Sequence, residues 1–501
     1  MVESARLRYL CLSDLHLGAK YSVLTRLREE EVRASGEIDI GQVDAWKSET
    51  LKSFSRSLRS SLGALTRPGE RPRLVLLGDV LDLSFSDWFH VTEAFLGFID
   101  ELFPRDPADR LFDDEILLIP GNHDHHLWRR IKDCHYSQQI EAGLNPIEPL
   151  EITGLFDRPV LESELLSAMI HNLPGRESLR VVSAYPNFAV ANDERSVVIH
   201  HGHFVESTYT LMTSASDWVF ETSTERTAAN LERQNGPWID FGWSSLGAAG
   251  MASAAEKQYL MSQDEAAQHT FIKRLGKRMS RYLGALGSGD LSRAAPGITL
   301  TGAITAALDY GVGKASDTER SSYMFALTPD AVRGLKDYLT GPVHGQLVSE
   351  DPSLPQRPVS FIFGHTHKPF QDQLIARGFR HPVGVYNTGG WVLDAPKMMR
   401  QQGAALVFVD EELHVASLRL FNDPLDHHPP PVHAAGVGGY ADRENPLLTL
   451  LENHLDAKEH WQDFTSAFAA AAERRALIAA RYSFDPTQNP NIGHHGMGEG
   501  A

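Results

Sequence analysis

Clusters of carboxylate, imidazole and amide side chains stand directly after short apolar runs of this sequence. The candidate metal ligands and their neighbours are Asp14 and His16, Asp79 and Asp82, Asn122 and His123, His200, His201 and His203, and His365 and His367. Oxygen and nitrogen donors without thiolates suit Mn, Fe or Zn. A carboxylate at the end of a buried strand needs a cation or hydrogen-bond donors to offset its desolvation, so the pattern predicts a buried metal site.

The elements that must position these clusters are five apolar runs, which predict buried strands. The runs cover residues 9–12, 74–77, 116–119, 197–199 and 359–363. Helix-like periodicity covers residues 42–65, 87–102 and 125–141, so strands and helices alternate as in an α/β layered sheet. Because ligands bind beyond the carboxyl ends of strands in such sheets, we expect the distant clusters to converge there.

In chain order the clusters form five short motifs. They are Asp14-Leu15-His16, Gly78-Asp79-Val80-Leu81-Asp82, Gly121-Asn122-His123-Asp124, His201-Gly202-His203 and Gly364-His365-Thr366-His367. This ordered set resembles the calcineurin-like metallophosphoesterases over two segments, residues 7–204 and 357–420. The resemblance implies an α/β fold, a four-layer β-sandwich of mixed sheets flanked by helices, here with a helical insertion.

The resemblance also implies roles for individual residues. One divalent metal ion would be held by Asp14, His16, Asp79 and His367, and a second by Asp79, Asn122, His201 and His365. The family then implies hydrolysis of a phosphoester by a metal-bound hydroxide, with two cations of Mn, Fe or Zn as cofactors. His123 would assist the leaving group as a catalytic acid, and Asp82 would orient His123.

Two further residues are weaker candidates for substrate binding. Arg129 follows the third motif and could contact a phosphate, although a solvent-exposed first helical turn explains it as well. His203 closes the fourth motif and, like His200, is more simply explained as a residue packed behind the ligands.

The domain organisation predicted from these segments has five parts. Residues 1–204 and 357–422 form the phosphoesterase domain, 205–356 a mainly helical insertion or cap, 423–484 a linker and helical region, and 485–501 a disordered tail. Within them we expect strands over 384–392, 404–409 and 413–420, a loop over 423–439 and helix over 445–482. Residues 271–282 predict a basic amphipathic helix, which allows peripheral contact with a membrane surface.

Composition narrows the class of partner. The 501 residues carry a net charge of -18, which disfavours a nucleic-acid partner because the average field repels phosphates. Only two cysteines are present, so no disulfide framework is expected. The sequence has neither a signal-type start nor an apolar stretch long enough to span a bilayer, and we expect a cytoplasmic protein.

The leading functional hypothesis is hydrolysis of a phosphoester or phosphoanhydride of a small molecule or nucleotide, with the insertion selecting the substrate. A lipid-nucleotide hydrolase similar to UDP-diacylglucosamine pyrophosphohydrolases is an alternative, although those enzymes carry arginine where this chain has His123. Leu83 and Asp124 differ from the residues of protein serine/threonine phosphatases, which disfavours a phosphoprotein substrate. A nuclease and a non-catalytic scaffold that retains the fold are the remaining alternatives.

Overall fold

The computed structural model describes residues 6–482 except 28–30, 33–37, 40–42, 68, 85, 145–148, 157–160, 221, 245–325, 394–400, 423–431, 438–444 and 456–460. The strands are β1 (Leu7–Leu12), β2 (Thr25–Leu27), β3 (Glu31–Val32), β4 (Ile38–Asp39), β5 (Val43–Lys47), β6 (Arg73–Leu76), β7 (Glu115–Leu118), β8 (Leu161–Glu162), β9 (Arg180–Ser183), β10 (Asn187–Ala191), β11 (Ser196–His200), β12 (Val359–Phe363), β13 (Phe370–Leu374), β14 (Val383–Asn387), β15 (Gly403–Asp410), β16 (Val415–Asn422) and β17 (His433–Ala435).

The α-helices are α1 (Glu49–Leu65), α2 (Trp88–Leu102), α3 (His125–Glu141), α4 (Glu164–His171), α5 (Leu211–Phe220), α6 (Ala228–Ile239), α7 (Pro329–Tyr338), α8 (His344–Glu350), α9 (Pro446–Leu455) and α10 (Gln462–Tyr482). Shorter 3-10 turns cover Pro107–Asp109, His203–Val205, Ser207–Thr210 and Leu354–Gln356. Single π-helical turns cover Asp240–Ser244 and Leu339–Val343.

Two mixed sheets form the centre of the fold. The larger has the strand order β17-β16-β15-β1-β6-β7-β9-β8, with parallel pairing from β1 through β6 and β7 to β9 and antiparallel strands at both edges. The smaller has the order β10-β11-β12-β14-β13, with parallel pairing from β11 through β12 to β14. The parallel strands of both sheets are nearly continuous apolar runs because they are covered on both faces.

Alternating side chains show how the layers stack. Along β1, Tyr9 and Cys11 belong to a buried cluster that also contains Val197 and Ile362 of the smaller sheet, so this cluster fills the space between the sheets. Leu10, on the opposite face, belongs to a cluster shared with α1, α2, α4, α9 and α10. The outer face of the smaller sheet packs against α3, α6, α7 and α8. The order is therefore helices, sheet, sheet, helices, as the predicted four-layer fold requires.

The predicted helix over residues 42–65 is wrong at its start. Val43–Lys47 forms β5, which pairs antiparallel with β2, and α1 begins only at Glu49. The Oγ of Ser48 accepts a hydrogen bond from the backbone N–H of Leu51 at 3.0 Å and caps the helix.

The later elements also differ in part from the prediction. The strand predicted over 384–392 ends at Asn387, the loop predicted over 423–439 includes β17, and the C-terminal helical region is divided into α9 and α10. The amphipathic helix over 271–282 and the tail over 485–501 lie outside the described residues.

Candidate metal centre

Loops that leave strands of both sheets meet at one edge of the sandwich. In these loops five residues of the predicted ligand set have left-handed backbone conformations, with φ between 45° and 72°. They are Asp14, His16, Asp79, His365 and His367. Such values are uncommon for residues with a Cβ, and strained backbone of this kind is typical of functional sites that the surrounding fold holds in place.

Asp14, His16 and His367 form the first cluster. The Nε2 atoms of His16 and His367 are 3.3 Å apart, and His367 Nε2 lies 3.3 Å from Asp14 Oδ1. Asp14 Oδ2 accepts a hydrogen bond from the backbone N–H of His365 at 2.8 Å, which links the first motif to the last. Burial would raise the pKa of the Asp14 carboxyl, but the close approach of His367 and the charges of His201 and His367 outweigh burial and lower it.

Asp79, His201 and His365 form the second cluster, with Asn122 beside them. His201 Nε2 lies 3.4 Å from Asp79 Oδ2 and 3.0 Å from Asn122 Oδ1. The same Asp79 oxygen lies 3.8 Å from His16 Nε2 in the first cluster. One carboxylate oxygen therefore stands between the two groups, where a bridging ligand would stand.

His201 shows why a cation fits the second cluster. Its Nδ1 lies 2.6 Å from the carbonyl oxygen of Leu77, so Nδ1 carries a proton and donates it. In the neutral ring Nε2 presents a lone pair, yet it faces oxygens of Asn122 and Asp79. Such electron pairs repel one another unless a proton or a metal ion lies among them. Burial lowers the pKa of His201, but the charge of Asp79 outweighs burial and raises it to about 9, so without a metal ion a proton takes that position and a bound cation would replace it.

Two carboxylate oxygens give a second test of the fit. Asp14 Oδ1 and Asp79 Oδ2 make no hydrogen bond within the described part of the chain, although both residues are fully buried. A buried carboxylate oxygen without a partner carries a large desolvation cost, which a directly bound cation would remove. The donor set of each cluster therefore fits a divalent metal ion.

His123 and Asp82 lie beside the first cluster. His123 Nδ1 is 3.7 Å from Asp82 Oδ1, while His16 Nδ1 is 3.5 Å from Asp82 Oδ2, so the one carboxylate contacts both imidazoles. The backbone N–H of His123 donates to Asp79 Oδ1 at 2.7 Å. Burial lowers the pKa of His123, whereas its contacts with Asp79 and Asp82 oppose this shift.

Asp124 has a positioning role that the motif alone did not reveal. Its fully buried carboxylate accepts hydrogen bonds from the backbone N–H groups of Gly121 at 2.7 Å, Val80 at 2.8 Å and Asp79 at 3.2 Å. It thereby joins the second motif to the third. Burial and the nearby charge of Asp79 raise the pKa of Asp124 to about 6.

Gly121 allows the two loops to approach this closely. A Cβ at this position would lie 2.4 Å from Asp79 Oδ1 and 2.6 Å from the backbone nitrogen of Asp79. Any larger residue would therefore push the Asp79 loop away, which explains in steric terms why a glycine is needed at this position.

The weaker candidates for substrate binding lie in different surroundings. The side chain of Arg129 is 62% exposed and its Nη1 lies 3.8 Å from Asp240 Oδ2. His203 is fully buried, and its Nε2 lies 3.2 Å from the hydroxyl of Tyr185. The structure therefore places His203 behind the clusters and Arg129 at the surface, and substrate contact by either residue stays a prediction.

Residues from the segment predicted as an insertion also reach the site. Tyr209 accepts a hydrogen bond from Asn122 Nδ2, and Ser244 donates one to the backbone carbonyl of Asn122. Each of these contacts joins positions more than eighty residues apart. No motif or periodicity in the sequence identifies Tyr209 or Ser244 as a residue of the site.

The architecture and this site together define an α/β sandwich with buried His and Asp clusters, suited to a metal ion, on the loops that follow its central strands. Residues 7–254 match the family model described as calcineurin-like phosphoesterase. Over these residues the chain belongs to that family. The predicted superfamily and fold class are thus confirmed. The match extends beyond residue 204 into the segment predicted as an insertion. No curated protein matched the chain.

Among the described residues no helix combines the length and the apolar character that crossing a bilayer requires. The segment for which peripheral membrane contact was predicted, residues 271–282, is outside the described part of the chain.

Proposed function

We propose that this protein is a dinuclear metal-dependent phosphoesterase that hydrolyses a phosphoester or phosphoanhydride of a small molecule or nucleotide. The observation that carries the proposal is the position of Asp79. Its Oδ2 lies 3.4 Å from His201 in one buried cluster and 3.8 Å from His16 in the other. A shared carboxylate between two sets of nitrogen and oxygen donors is what a pair of adjacent cations requires.

In this proposal Asp14, His16, Asp79 and His367 would hold one cation, and Asp79, Asn122, His201 and His365 would hold the other, so that Asp79 is shared. When bound, the two cations would lower the pKa of a water molecule and neutralise charge on the phosphoryl oxygens. The mixed nitrogen and oxygen donors favour Mn, Fe or Zn.

His123 is assigned the proton transfer to the departing oxygen of the substrate. Asp82 lies on the Nδ1 side of its ring, so we assign the transferred proton to Nε2. Burial lowers the pKa of His123 and outweighs the charges of Asp79 and Asp82, which favour the protonated ring. Asp82 orients His123, and through its other oxygen it also restrains His16.

The charge of the chain supports the choice of substrate class. A net charge of -18 repels a long polyanion, whereas the field of two bound cations acts at short range on a single phosphoryl group. We therefore propose a small phosphorylated molecule or nucleotide as the substrate.

The test is hydrolysis of bis-p-nitrophenyl phosphate and p-nitrophenyl phosphate by the full chain loaded with Mn, Fe or Zn. We expect turnover that a chelator abolishes and that Asp79→Ala removes. The matched control is Asp372→Ala, which removes an exposed carboxylate on β13 and should leave turnover unchanged. The absence of turnover with all three metals, or turnover that persists in Asp79→Ala, would contradict the proposal.

A further inference from the structure

The side-chain amide of Asn122 is held at both ends. Its Oδ1 lies 3.0 Å from His201 Nε2, on the side of the second cluster. Its Nδ2 points the other way and donates to the hydroxyl of Tyr209 at 3.1 Å. Both Asn122 and Tyr209 are buried, so their mutual hydrogen bond is shielded from competition with water.

The orientation of this amide decides whether a cation can bind. Because His201 Nδ1 donates to Leu77, the neutral ring has its lone pair on Nε2. If the amide turned over, Nδ2 would donate to that lone pair and the two side chains would satisfy each other without a metal ion. With Oδ1 inward, the same two atoms converge as ligands. A partner for Nδ2 on the outer side therefore favours the orientation that binds metal.

The segment that carries Tyr209 fixes Asn122 through its main chain as well. Ser244 Oγ, at the end of a π-helical turn, donates to the backbone carbonyl of Asn122 at 2.8 Å. The ring of Tyr209 has its centroid 5.0 Å from that of His365 and 4.7 Å from that of Trp243. Aromatic packing of this kind restrains the phenol ring and thus the position of its hydroxyl.

We propose that Tyr209, which lies outside the five motifs, is a positioning residue for the second cation. Its hydroxyl holds the Asn122 amide with the oxygen directed at His201, so Tyr209 is part of the metal centre rather than only a residue that covers it. The inference rests on the proposed function, because it assumes that the second cluster binds a cation.

The test measures cation affinity rather than turnover. Mn²⁺ is titrated into the full chain after chelation, and the two binding constants are compared between the parent, Tyr209→Phe and Tyr338→Phe. Phe keeps the ring against His365 and Trp243 but loses the hydroxyl. Because partners of metal ligands typically change metal affinity by about 10- to 100-fold, we expect the second constant to weaken about tenfold in Tyr209→Phe and the first to stay unchanged.

Tyr338→Phe is the matched control. Tyr338 is also buried, and its hydroxyl donates to an asparagine oxygen, Asn187 Oδ1, at 3.0 Å. Its removal costs a comparable hydrogen bond at a place where no proposed ligand takes part. We expect both binding constants of this variant to equal those of the parent.

A second background separates orientation from general damage. Asn122→Asp offers an oxygen in either orientation, so adding Tyr209→Phe should change cation affinity by less than about twofold there. The assignment is overturned if Tyr209→Phe binds both cations as tightly as the parent, or if it weakens binding equally in the Asn122→Asp background. A parent chain that bound only one cation would instead refute the dinuclear site itself.

Discussion

The carboxylate of Asp124 offers a sharp test of how the site is built. It accepts from four backbone N–H groups, those of Gly121 at 2.7 Å, Val80 at 2.8 Å, Asp79 at 3.2 Å and Leu81 at 3.4 Å. The substitution Asp124→Asn keeps the shape of the side chain but turns one acceptor oxygen into an NH₂ group. Each oxygen accepts from two of these groups, so whichever oxygen is replaced, two hydrogen bonds are lost, one of them short, and the new NH₂ group faces two backbone N–H donors.

The expected cost follows from these contacts. A buried donor left without its acceptor costs about 1 to 3 kcal/mol, so two of them should lower the free energy of unfolding by about 3 kcal/mol. One effect opposes this loss. Burial and the charge of Asp79 raise the pKa of Asp124 to about 6, so removing the charge of Asp124 relieves its desolvation and its repulsion from Asp79. Bound cations would neutralise Asp79, so the full loss is expected in the metal-loaded chain and a smaller loss after chelation.

The assay is urea unfolding of the parent, Asp124→Asn and the exposed control Asp372→Asn, each with and without Mn²⁺. Asp372→Asn should stay within about 0.5 kcal/mol of the parent, as surface substitutions usually do. If Asp124→Asn also stayed within that range in the metal-loaded chain, the carboxylate would not be joining the two loops and the reasoning would be refuted.

Three further predictions follow from other contacts. His123→Ala should keep its bound metal but slow substrates with poor leaving groups far more than p-nitrophenyl esters; loss of metal in this variant would show that its role is ligation. Gly334→Ala should destabilise the chain by about 1 to 3 kcal/mol in thermal unfolding, because its Cβ would lie 1.9 Å from the carbonyl oxygen of Val205; an unchanged midpoint would exclude this close packing. Burial lowers the pKa of His125, but Glu232 and Asp240 raise it to about 9. The contacts of the protonated ring with these carboxylates therefore stabilise the fold fully below about pH 6.5, and this stabilisation is lost as the pH rises through 9. The urea midpoint should therefore fall more steeply over that range in the parent than in His125→Asn, and equal slopes would exclude the contribution.

The convergence of the five motifs could be predicted from sequence because it depends on local signals. Each motif follows an apolar run, and the carboxyl ends of parallel strands meet at one edge of a sheet. The helix start was also signalled locally. Ser48 is a good N-cap residue, so the sequence itself indicates that α1 begins at Glu49.

The contacts that complete the site could not be predicted in this way. The contact of Asp124 with Val80 and that of Tyr209 with Asn122 join residues that are distant in sequence, and no periodicity identifies either pair. The same holds for the C-terminal helices. Trp461 packs near Phe54. The buried guanidinium of Arg475 donates to the backbone carbonyl of Ser22, in the loop after the first motif, and to that of Thr25, at the start of β2, at 2.7 Å. These pairings exist only in the folded chain.

The central claim is that two buried clusters sharing Asp79 hold a pair of cations. Its most direct test is the number of Mn²⁺ ions bound per chain at equilibrium, measured by dialysis and elemental analysis for the parent and for Asp79→Ala. The account predicts two ions per parent chain and at most one in the variant, since a bridging ligand serves both positions. A parent chain that binds fewer than two ions, or a variant that still binds two, would contradict it.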